Sequence, residues 1–167
     1  MTSPDQNIVA LGILLPRLRG PIGNFCRAKR TQGSLSISGQ VALDGSGSAL
    51  QGRLGASLNT EEGARLAERC VVNALAIAAM SEGTLDRLVV RRVRVYVACT
   101  EQYAEHHLVA NGASNLLIAV FGESGVHART ALGVMSLPMG APVEVEIDFS
   151  LQEVPPDRSF PCPETLT

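Results

Sequence analysis

A chain of 167 residues with 46% hydrophobic residues suits one domain around one core, and so one kind of functional site. Its formal charge of −2 supplies no broad positive field, which argues against a nucleic-acid partner, and 4% aromatics with no Trp leave Ala, Val, Leu and Ile to fill the interior. The apolar run at residues 8–15 follows no basic segment, and no run approaches the ~20 residues of a membrane span, so a cytoplasmic protein without a membrane partner is expected.

Residues 1–21, with Pro16 and Pro21, read as an irregular N-terminal arm. Over 27–43, Leu35 and Ile37 alternate with Ser34, Ser36 and Ser38, a strand pattern. Asp44-Gly45-Ser46-Gly47-Ser48 is a turn cluster that lacks the third glycine and the following helix of a dinucleotide site. From Thr60 a long helix is predicted: Asn59 or Thr60 can cap it, Glu61 and Glu62 suit its positive end, and an Ala-rich run continues to Met80 ahead of Gly83. Over 88–98, Val93, Val95 and Val97 alternate with Arg92, Arg94 and Tyr96, and Arg91 interrupts the pattern. The valine side should face the helices.

A second helix is predicted over about 114–121, or from nearer Tyr103, ending by Gly122 and Gly125. Two strands follow, 129–137 and 143–151, joined by the turn-rich Pro138-Met139-Gly140-Ala141-Pro142. The tail at 153–167, with four prolines, should be loosely ordered. The order β-β-α-β-α-β-β is an α+β pattern in which two helices cover one face of a mixed sheet. The other face must meet water or another subunit, and closed oligomers are a common solution.

The four cysteines form no CxxC or Cys/His ligand pattern, so reduced thiols are expected, and Cys26, with no base visible nearby, should be packed. His106 and His107 would point about 100° apart on a helix and are read as exposed residues, not as a metal pair. His127 could line a cleft mouth beside Arg129. Arg87, Arg91, Arg92 and Arg94 split between strand faces and are better suited to ion pairs than to RNA.

Two stretches carry a resemblance: GNFCRAKRTQGSLSISGQ at 23–40, ending in Ser-Gly-Gln, and HARTALGVMSLPMGAPVEVEI at 127–147, with Ala-Arg, a Leu-Pro turn and Val-Glu-Val-Glu. With Asn73 and the valine-rich strand between them, the chain over residues 11–151 resembles the Rid family, the reactive-intermediate deaminases also called endoribonuclease L-PSP. The segment from Ala10 to Pro16 looks like a longer subgroup of largely unassigned activity. The resemblance implies a single domain with a chorismate-mutase-like fold, assembled as a homotrimer around a central barrel, with ligand clefts between subunits and no cofactor.

In deaminating members an arginine holds the carboxylate of a 2-imino acid while water attacks the imine carbon and ammonia leaves. A guanidinium suits that task because its planar fork grips a carboxylate bidentately. Carried over by position, the arginine is Arg129 and the water-orienting glutamate is Glu144, the two catalytic candidates. Ser38 and Gly39 match the pocket wall and Asn115 an asparagine of the second helix. Phe25 stands where deaminating members have a tyrosine and Ala131 where they have a cysteine. These departures keep a second reading open, a non-catalytic module that binds a small carboxylate metabolite; ribonuclease activity is a distant third.

Plainer roles exist for the same residues. Arg129 could be a surface strand arginine, and Glu144, Glu146 and Asp148 the solvated side of an edge strand. If the last two strands formed a hairpin centred between Met139 and Gly140, Glu144 would lie opposite Met135, about 20 Å along the strand from Arg129. The two would then meet only across a cleft between subunits.

Overall fold

Period-two patterning sets the sheet. The computed structural model describes residues 2–21 and 23–152, with strands β1 (Ala28–Thr31), β2 (Ser34–Val41), β3 (Leu88–Ala98), β4 (Ala128–Val134) and β5 (Val143–Leu151) in the order β1-β2-β5-β3-β4. Val93, Val95, Val97, Val143, Val145, Ile147 and Phe149 are buried in one core with residues of two long helices, which cover that face of the sheet. Arg94, Tyr96, Glu144, Glu146 and Asp148 alternate onto the other face and stay half-buried. There Arg94 Nη1 lies 3.0 Å from Asp148 Oδ2 and 3.5 Å from Glu146 Oε2. Arg91 marks a bulge: the register with β5 shifts between Val90 and Arg92, leaving Arg91 and Arg92 both exposed.

The helices follow their end signals. Asn59 caps the first long helix, Thr60–Glu82, in a reciprocal box with Glu62, and Gly83, at φ 76°, closes it in the left-handed region. The second, His106–Phe121, begins near the earlier of its two expected starts. The two pack closely enough that a Cβ on Gly112 would stand 2.0 Å from the Ala64 carbonyl oxygen.

Three expectations need correction. The N-terminal arm is irregular only in part: α1 (Pro4–Ala10) opens it, because Ser3 and Gln6 form a complete capping box with Pro4 at the first helical position, while residues 13–21 carry no regular element, as expected. Asn7 Nδ2 donates to the Val120 carbonyl at 2.8 Å and Asp5 accepts from Thr84 and Leu85, docking α1 on the domain. We therefore number the long helices α2 and α3. Next, β4 and β5 form no hairpin: β4 pairs parallel with β3, as a strand following β3 and α3 does in a βαβ unit, and β5 inserts antiparallel between β2 and β3. Lastly, Cys26 is exposed, while His106 is half-buried against Cys99. The expected loose tail at 153–167 lies outside the described residues.

Candidate functional site

Arg129 lies on edge strand β4 in the row of Val93 and Ile147, and so on the helix-covered side of the sheet. Its Nη1 donates to Asn111 Oδ1 at 2.9 Å and to Ser114 Oγ at 3.1 Å, and its Nη2 to the His107 carbonyl at 3.3 Å. Positions 107, 111 and 114 recur at helical spacing, so one face of α3 supplies all three acceptors. His127 completes the arrangement. Its Nδ1 donates to the Gly125 carbonyl at 2.6 Å, which leaves Nε2 to accept from Ser114 Oγ at 3.0 Å. The guanidinium is thus oriented while its residue stays exposed. Three of its five donors are held by α3, leaving two for a ligand.

Glu144 occupies a second locus. By register it shares a row with Tyr96 and Leu132, so alternation sends it to the face opposite Arg129. Beside it, β2 shifts register between Ile37 and Gln40, and Gly39 gives way to the Glu144 carboxylate: a Cβ there would stand 1.7 Å from Oε1. Burial, then the neighbouring charge of Glu146, raises the Glu144 carboxyl above its ordinary range. Phe25, Gly39 and Glu144 together line a cavity of about 880 Å³, with Arg17, Arg27 and Arg69 also on its wall.

The structure therefore divides the expected site residues into two groups. Phe25, Gly39 and Glu144 meet in the cavity; Ser38 does not line it, but precedes Gly39 in β2 and its carbonyl accepts from the cavity residue Gln40 through Nε2 at 2.9 Å. Arg129 and Ala131 lie on the helix side of β4. Asn115 is exposed on α3, one residue past Ser114, and Asn111 is the asparagine that meets Arg129. Arg129 and Glu144 do not meet within a protomer, because β3 separates their strands and they point to opposite faces, not because of the hairpin offset. Asn111 and Ser114 were missed, although their three-residue spacing on α3 was a readable signal. Among the described residues no three His, Cys, Asp or Glu side chains converge to hold a metal, and no helix is long and apolar enough to cross a membrane.

Residues 5–147 match the family model described as "YjgF/chorismate_mutase-like, putative endoribonuclease". The protein named TCP17 from Trypanosoma cruzi is 39% identical over 142 residues, covering 84% of this chain and 89% of that protein. A solved structure from Shewanella oneidensis, named "a putative endoribonuclease", superimposes with a TM-score of 0.86 at 29% identity over 90% of this chain and 100% of the other. A protein of unknown function from Agrobacterium tumefaciens does so with a TM-score of 0.81 at 32% identity, over 90% of this chain and 93% of its own. A family model spanning most of the chain, on a mixed sheet covered on one face by two helices, leaves one assignment: the chain belongs to the YjgF/L-PSP family, the Rid family of the sequence resemblance.

Proposed function

We propose that this Rid-family protein binds a small carboxylate metabolite through Arg129 and hydrolyses 2-imino or enamino acids to 2-keto acids and ammonia. The observation that carries this reading is the half-committed guanidinium. Three donors are fixed by α3 and two remain for a carboxylate, so little ordering is left to be done on binding. Water adds to the imine carbon, the tetrahedral adduct collapses, and ammonia departs as the carbonyl forms. The carboxylate bound at Arg129 stays unchanged and only orients the carbon. Glu144, in its own cavity, orients water only if a neighbouring subunit brings that cavity to Arg129, so the reading requires a closed homotrimer.

The charged face of the sheet supports such an assembly. Arg94 is paired there with Glu146 and Asp148 and no helix among the described residues covers it, while Leu132 on the edge strand is 50% exposed. Light scattering at micromolar concentration should give three times the chain mass, and a monomer would remove the shared cleft.

Ala131 favours a second reading, a metabolite-binding or regulatory module without turnover. It presents only a methyl group on the side of β4 that carries Arg129, and Phe25 adds no hydroxyl. Turnover separates the two: when 2-aminoacrylate is generated in place, the protein should accelerate keto-acid release. Binding of carboxylates with no acceleration supports the module instead.

A further inference from the structure

A thiol and an imidazole meet where β3 runs out towards α3, and carboxylate binding uses neither. Cys99 follows the last residue of β3 and is 8% exposed. Its Sγ lies 3.3 Å from Nε2 of His106, the first residue of α3. The Tyr103 ring packs edge-on against the imidazole at 5.4 Å between centroids, and its hydroxyl lies 2.9 Å from Thr60 Oγ1 on α2. Arg53 Nε donates to the Cys99 carbonyl at 2.9 Å. Both partners are therefore held from several elements, and their approach is not the meeting of two loose side chains.

Gly133 on β4 admits the pair. A Cβ at this position would stand 2.4 Å from His106 Nε2 and 3.0 Å from Cys99 Sγ, so any other residue would drive the imidazole off the sulfur. Its backbone does not require glycine, since it is not among the residues of positive φ. Glycine inside a strand weakens it and often marks a place that something must approach closely. Gly133 is also exposed on the edge strand, so the pair lies about one residue below the surface.

We propose that Cys99 is a nucleophilic thiol and His106 its base, and that the pair takes a small soft electrophile of the α,β-unsaturated carbonyl class. The thiolate is the reactive form of cysteine, and a neighbouring imidazole generates it by accepting the proton. His106 Nε2 removes the Sγ proton, sulfur bonds to the β-carbon, and the C=C electron pair moves to the α-carbon. The proton then passes from His106 to that carbon. The product is a thioether, with no leaving group, oxidant or reductant required. Shallow burial beneath an edge strand admits a small molecule and excludes a large one.

Acrylamide is the probe, used on the full-length protein with peptide mass mapping to follow each cysteine. Cys26, free and exposed, sets the ordinary rate, and Cys70, fully buried with its thiol pushed up by desolvation, sets the floor. Cys99 should react at least as fast as Cys26 despite its burial, and His106→Gln should slow it about tenfold at neutral pH while leaving Cys26 unchanged. Cys99 as inert as Cys70, or an unchanged rate in the variant, overturns the proposal. Should the variant not fold, the pH profile of the parent decides: a Cys99 rate already high where Cys26 is still slow supports the pair, and coincident profiles overturn it.

Discussion

Replacing Arg129 with alanine should weaken the binding of 2-keto and imino acid analogues by about tenfold or more, read by calorimetry. Each hydrogen bond to a charged group contributes roughly 1.5–3 kcal/mol, and a tenfold change in affinity is about 1.4 kcal/mol. Loss of a two-donor fork therefore exceeds tenfold even at the low end. Lysine should restore only part of the affinity, because it keeps the charge but loses the planar fork, and its three donors cannot serve Asn111, Ser114 and the His107 carbonyl and also hold a carboxylate. Equal affinity in the alanine variant and the parent would remove Arg129 from the site. Stability should change little, since the side chain is exposed and its bonds are made at the surface.

The fold was legible where a local signal had no competitor. Asn59, Glu62 and Gly83 fixed α2 at both ends, and the alternation of β3 and β5 assigned their faces as well as their spans. Strand pairing was less legible. Val134 and Val143 are joined by a turn-rich segment, which suggests a hairpin, but α3 carries the chain back so that β4 must run parallel to β3. The right-handed βαβ rule outweighs proximity in sequence, and it was readable from the element order. Ser3 and Gln6 likewise announced α1, yet the prolines at 16 and 21 pointed to irregular chain.

The site was legible in identity more than in arrangement. Phe25, Gly39 and Glu144 do share a cavity, although nothing local predicts that a bulge in β2 brings Gly39 to the carboxylate. The three acceptors around Arg129 belong to α3, and their role appears only once β4 is known to lie beside that helix along β3. Pairing β4 with β5 hid this environment.

Gly112→Ala should destabilise the protein by roughly 1–3 kcal/mol, the usual range for overpacking a close contact. Two effects oppose each other. Alanine is favoured over glycine in a helix interior by about 1 kcal/mol. Against that gain, the new methyl would meet the Ala64 carbonyl oxygen at 2.0 Å and its carbon at 2.7 Å. Those atoms are backbone and cannot rotate away, so α2 and α3 must separate. Gly63→Ala is the control: its nearest neighbours are the Leu54 Cδ1 at 2.8 Å and the Val109 Cγ2 at 3.0 Å, side-chain ends that can shift. Thermal unfolding should therefore fall by several degrees for Gly112→Ala and by less for Gly63→Ala, at about 2–4 °C per kcal/mol for a chain of this size. Position 112 also lies between Asn111 and Ser114, the residues that hold the guanidinium. A displaced α3 would loosen both acceptors, so Gly112→Ala should weaken carboxylate binding while Gly63→Ala leaves it intact. Equal affinities in the two variants would mean that Arg129 does not depend on α3 for its orientation.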